Sequence, residues 1–130
     1  MKKILLKAVP RAIASGEDFK AGDVYGLAWQ GDSPLYPTAR RIDSMPPEEG
    51  EVLLHAIKIR QEAPSGISLR EISGGLYYLV SSYGVPIVWV TCDGTIHRTK
   101  VFHSTATAKH LEIAAKGVLE LSIKLSGMST

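Results

Sequence analysis

One run constrains this chain more than any other: Ile87-Val88-Trp89-Val90-Thr91-Cys92, followed at once by Asp93-Gly94. An apolar, β-branched run of this kind predicts a central strand. Asp93-Gly94 predicts a tight hairpin, because both central positions of a type I′ turn need positive φ. The returning strand, Thr95 to His103, is mixed in polarity and suits a sheet edge or one wet face. Upstream, Leu76 to Ser82 is dense in Tyr, Leu and Val, and Tyr83-Gly84-Val85-Pro86 bends the chain between the two runs. Ile67 to Ser73 predicts a further strand, joined to the next through Gly74-Gly75. Residues 67–103 therefore predict a meander.

Two helices frame that meander. Over about 46–62, Val52, Ala56, Ile59 and Ala63 recur at helical spacing, flanked by Leu53 and Ile57. Ser44 predicts the N-cap, Glu48, Glu49 and Glu51 sit where the helix dipole favours negative charge, and Pro64-Ser65-Gly66 stops the helix. Over about 105–125, Ser104 predicts the cap, and Leu111, Ala114, Val118, Leu121 and Leu125 form one apolar stripe. Ile113, Leu119 and Ile123 make a second apolar edge, broad enough to meet a partner chain, and Gly117 allows close packing or marks a kink. Towards the N-terminus, Lys2 to Val9 predicts a short strand or extended arm. Residues 10–22 then predict a loop, 23–29 a strand, and the proline-rich stretch 30–47 a long connection. The order β, β, α, β-β-β-β, α predicts a single α+β domain over residues 1–130, with a mainly antiparallel sheet and both helices packed on it.

Composition narrows the function classes. With 45% hydrophobic residues, 22% charged residues and one cysteine, the chain is neither disordered, collagen-like nor a disulfide scaffold. At 130 residues a large multi-site enzyme is not expected either. The apolar start ends at Lys7, too short for a signal peptide, and no window reaches the roughly 18 apolar residues of a membrane helix. A cytoplasmic protein with no membrane partner is the expectation. The net charge of +2 conceals two acid-free basic stretches, 1–16 and 94–111, set against acids gathered over 43–51. Such stretches attract phosphates or form solvated faces.

A resemblance begins at residue 76. Ser82-Tyr83-Gly84-Val85-Pro86-Ile87, then Asp93-Gly94, then His103-Ser104-Thr105-Ala106-Thr107-Ala108-Lys109-His110 resembles a small domain of bacteriophage and prophage proteins. That family carries an "SYxTPIA" strand start, a glycine turn and a "YSxTTSKH" segment that opens a C-terminal helix. Ser82, Tyr83, Pro86, Ile87, Gly94, Ser104, Thr107, Lys109 and His110 match, whereas Val85, His103, Ala106 and Ala108 depart from the pattern. The match covers about residues 76–111, so 67–125 reads as the phage-type part and 1–66 is unplaced. The resemblance implies a small phage accessory protein and names no reaction.

The best site candidates surround the start of the C-terminal helix: Ser104, Thr107, Lys109 and His110, with Arg98 and Lys100 on the preceding strand and Tyr83 among the clustered aromatic residues. A helix N-terminus beside basic residues suits a phosphate. Ser104 capping the helix, with His110 hydrogen-bonded across to a strand, accounts for the same residues without a ligand. Alternation sends Tyr77 and Tyr78 to opposite faces, which leaves one of them to stack on a base or join the core. His97, His103 and His110 lack an acid or cysteine at ligand spacing, so neither metal nor cofactor is expected. Cys92, in an apolar strand, reads as inert. With no catalytic set, the expectation is a non-enzymatic binding or inhibitor module against a host or phage macromolecule, counter-defence being one purpose, and a homodimer through the C-terminal helix. The alternative is a nucleic-acid or nucleotide binder using residues 97–110.

Overall fold

The computed structural model describes residues 2–29, 41–64, 66–101 and 104–128. The elements are β1 (Lys2–Lys3), α1 (Val9–Ala14), β2 (Phe19–Ala21), β3 (Val24–Ala28), α2 (Pro47–Glu62), β4 (Leu76–Ser82), β5 (Val85–Thr91), β6 (Ile96–Arg98) and α3 (Thr105–Met128). They form the expected α+β architecture. The strands make one six-stranded sheet in the order β1-β2-β3-β4-β5-β6. Among the described residues the β1–β2 pair alone is parallel, and every other neighbour is antiparallel.

Helices cover both faces of this sheet. On β4 and β5, Val80, Val88 and Val90 join a core with Val9 and Ile13 of α1 and Leu111, Ala114, Val118, Leu121 and Leu125 of α3. Their strand neighbours Leu79 and Trp89 join a second core with Leu53, Ala56 and Ile57 of α2. Adjacent strand residues enter different cores because side chains alternate across a strand. Covering both faces leaves β5 buried at all seven positions, which is why its sequence runs apolar instead of alternating.

The hairpins rest on different turns from those expected. Tyr83 and Gly84 have φ of 54° and 81°, and Ser82 pairs with Val85, so the type I′ turn lies between β4 and β5. At Asp93-Gly94 only Gly94 is left-handed, at φ 89°. Gly94 N–H donates to Thr91 O and Thr91 N–H donates to Thr95 O, closing a three-residue loop with a glycine bulge. The returning strand ends at Arg98, and residues 102–103 lie outside those described.

Four further expectations are corrected. Ile67 to Ser73 is no strand: Leu69–Ile72 forms a 3₁₀ turn in which Ser68 and Glu71 make a capping box that satisfies the backbone locally. Residues 10–22 are no loop, for Pro10 sits in the first turn of α1, where its missing N–H costs nothing, and β2 follows. Ser44 ends a 3₁₀ turn at Ile42–Ser44 and does not cap α2, whose N-cap is Pro46. The buried stripe of α2 is Leu53, Ala56 and Ile57, leaving Val52 46% exposed. Tyr77 and Tyr78 also fail to part. Leu76 pairs with Thr91 and Tyr78 with Val90, so Tyr77 is the extra residue of a β-bulge, and both rings pack on the α1–α3 core. Of the proline-rich connection, residues 30–40 lie outside the described ones, as does Ser65.

Candidate functional site

Ser104 caps α3 as its sequence predicts: its Oγ accepts the Thr107 N–H at 3.1 Å. Its hydroxyl donates to Thr107 Oγ1 at 3.2 Å. Thr107 Oγ1 lies 3.4 Å from Ser82 Oγ, and Ser82 Oγ lies 2.7 Å from His110 Nδ1. The four side chains form one chain of hydrogen bonds from the start of α3 to the end of β4. One direction that satisfies every link runs Ser104 to Thr107, Thr107 to Ser82, and Ser82 to a neutral His110 that accepts at Nδ1; the other His110 tautomer reverses the last two links. Burial pushes the His110 pKa down, opposed in part by the Asp23 carboxylate.

Tyr83 closes the arrangement. It holds a left-handed φ that bulky residues seldom adopt, its N–H donates to Asp23 O, and its ring centroid lies 5.8 Å from that of His110. Arg41 N–H donates to Gly84 O, bringing the segment before α2 against this turn. Between them is a pocket of about 160 Å³, lined by Arg41, Ser44, Ser82, Tyr83, Ser104 and Thr107. Ser82 and His110 stand at the distance of a nucleophile and its base. However, Ser82 is only 2% exposed, and its oxygen also meets Thr107.

The other sequence candidates lie elsewhere. Arg98 and Lys100 line a second groove, of about 390 Å³, together with Glu48, Glu49, Trp89 and His97. Lys100 N–H donates to Glu49 Oε2 at 3.1 Å, and His97 stacks on Trp89 with centroids 5.6 Å apart. Lys109 is exposed on α3 and lines neither hollow. The basic residues of 97–110 are thus divided, with acids beside one set. His103 lies outside the described residues, and His97 lines the second groove whereas His110 is bonded to Ser82 at the end of β4. Cys92 is fully buried, and burial pushes its thiol up despite the Arg60 guanidinium 3.3 Å from its sulfur.

Three contributors were not legible beforehand. Arg41 sits in a connection without a periodic pattern, Glu49 reads as an ordinary first-turn acid, and Ser82 was marked only by the resemblance. No family model, curated protein or solved structure matches the chain. No helix among the described residues is long and apolar enough to cross a membrane.

Proposed function

We propose that the protein is a non-catalytic binding module of phage or prophage type. It acts in the cytoplasm of a bacterial host and grips an anionic group of a host or phage macromolecule at the start of α3. The observation that carries this reading is a small pocket at the N-terminus of a 24-residue helix whose lining includes Arg41 and Ser44. Backbone N–H groups and the positive end of the helix dipole favour an anion there, and a guanidinium adds a full charge. A volume of about 160 Å³ suits a single phosphate or carboxylate. It is well below the roughly 300–1,000 Å³ of drug-sized pockets. Glu48 and Glu49 beside Arg98 and Lys100 oppose a continuous phosphate track, so the reading favours one gripped group over an extended nucleic-acid backbone.

NMR titration with inorganic phosphate and with a 5′-phosphorylated single-stranded oligonucleotide tests this reading. It expects shifts at residues 82–85 and 104–107 that weaken with salt and vanish in Arg41→Ala. Silence from both probes at low salt refutes it. A pull-down from bacterial lysate with and without nuclease then separates a protein target from a nucleic acid. Self-association along α3 belongs to the same proposal and would rest on Leu119 and Ile123, which are 55% and 64% exposed. Light scattering that gives only the 14.1 kDa monomer mass would remove it.

A further inference from the structure

β6 is an edge strand among the described residues, and its outward side is readable from its hydrogen bonds. Thr91 N–H donates to Thr95 O and Thr99 N–H donates to Ile87 O, so the odd-numbered residues turn their backbone groups to β5. Ile96, Arg98 and Lys100 turn theirs outward, and Lys100 N–H accordingly reaches the Glu49 carboxylate of α2. The 390 Å³ groove is the space between that outward edge and the first turns of α2. Two polar groups of its lining have no hydrogen-bond partner among the described residues: the indole Nε1 of Trp89, a residue 2% exposed, and the buried Oε1 of Glu49. An unmet donor and an unmet acceptor on two residues that line one hollow are costly to leave unpaired. Val52 and Ile96, 46% and 38% exposed, flank them with apolar surface.

We propose that this groove receives an extended peptide segment of another protein, which adds to β6 as a further strand with a basic side chain directed at Glu48 and Glu49. A peptide backbone supplies what the edge lacks: carbonyls for the outward N–H groups of Ile96 and Arg98, N–H groups for the outward carbonyls, and polar partners brought alongside Trp89 and Glu49. The two glutamates select against a nucleic-acid backbone in the same place and favour a cationic residue. Edge charges such as Arg98 and Lys100 commonly deter indiscriminate strand addition. Here they leave entry to a segment whose charges fit. The site is separate from the pocket at α3 and does not depend on it.

The test is selection of a random heptapeptide library on the immobilised full-length protein, followed by NMR with the synthesised winner. The expected result is a peptide with alternating β-branched residues and at least one Lys or Arg, whose binding shifts the Trp89 indole N–H and the Ile96 and Arg98 amides. Ile96→Pro removes an outward N–H that β5 does not use and should weaken binding by about tenfold, the worth of one main-chain hydrogen bond. Glu49→Gln should weaken the same peptide and serves as the second variant should the proline unfold the edge. Absence of any enriched peptide overturns the proposal, and so does binding whose shifts fall at 82–85 and 104–107. Self-association abolished by Ile96→Pro would reassign the edge to a second copy of this chain and equally overturn it.

Discussion

Gly117 and Gly50 invite the same substitution and should answer it with opposite signs. Both lie within helices, where alanine is favoured over glycine by up to about 1 kcal/mol. An alanine Cβ at Gly50 would find nothing closer than Met45 Cβ at 4.0 Å, so Gly50→Ala should stabilise the protein by about 0.5–1 kcal/mol. At Gly117 the added carbon would run into the carbonyl of Pro10, with the Pro10 carbonyl carbon and Cα both at 2.9 Å. All three are backbone atoms and cannot turn aside as a side chain would. α1 must move off α3, and with it Val9 and Ile13, which are fully buried against that helix. Overpacking of this kind costs about 1–3 kcal/mol. Because backbone has to shift, we take the upper end and subtract the propensity gain, which leaves about 2 kcal/mol of destabilisation. For 130 residues the unfolding entropy is about 0.27 kcal/mol/K, so the midpoint should fall by about 7 °C. Differential scanning calorimetry of the two variants beside the parent decides the matter. A Gly117→Ala midpoint that rises as Gly50→Ala does would refute the close crossing of α1 and α3.

The remaining predictions concern single side chains. The His110 pKa lies below the ordinary histidine value of about 6.5, so the unfolded chain takes up the proton first. His110 therefore costs nothing above about pH 6.5 and draws stability out of the fold as pH falls from there towards its own lowered value. Denaturant midpoints across that window should drop in the parent and flatten in His110→Asn. Arg60 donates to Leu76 O at 2.6 Å and to Trp29 O at 3.2 Å, tying α2 to the sheet. Arg60→Met should cost about 2 kcal/mol in urea unfolding, since charged hydrogen bonds are worth about 1.5–3 kcal/mol each and this residue is partly exposed. A fluorophosphonate probe should leave Ser82 unlabelled in the native protein, and labelling at that residue by mass spectrometry would reopen the hydrolytic reading.

What the sequence made legible was what a single local rule decides. The stripe Leu111, Ala114, Val118, Leu121 and Leu125 is the buried face of α3, and Ser104 is its cap, because helical spacing and capping are properties of a few neighbouring residues. The misreadings arose where two local rules competed. Ile67 to Ser73 has the composition of a strand, but Ser68 and Glu71 three positions apart offer the backbone a local alternative, and that alternative won. Tyr83 is bulky and seldom found at positive φ, so by composition the Asp93-Gly94 pair is the more favourable type I′ turn, yet that turn forms at Tyr83-Gly84. A bulge at Tyr77 shifted the alternation by one residue, and nothing in a strand's composition announces a bulge. Arg41 was out of reach for another reason: its place beside α3 is fixed by contact with Gly84, 43 positions along the chain.

Ser82, Tyr83, Ser104, Thr107 and His110 are widely spaced in sequence and contiguous in space, and their hydrogen bonds run mainly to one another. A pattern of this kind is accounted for by the need to hold the start of α3 against the end of β4, with the Ser82, Ser104 and Thr107 hydroxyls and His110 Nδ1 bonded to one another. A side chain already bonded on both sides has little left for a ligand, so in the proposed reading the specificity of the pocket falls to Arg41 and Ser44, which also line it. The two sets of variants should accordingly separate. Ser82→Ala leaves His110 and Thr107 short of a partner in a buried place and should lower stability by about 1–3 kcal/mol. In the same variant, phosphate should still shift the amides at 104–107 once the protein is folded. Arg41→Ala should leave the melting temperature nearly unchanged and abolish that shift. Were the two effects to coincide in Ser82→Ala, with the fold intact and the phosphate response gone, the network would be the binding site itself and its division from Arg41 and Ser44 would be wrong.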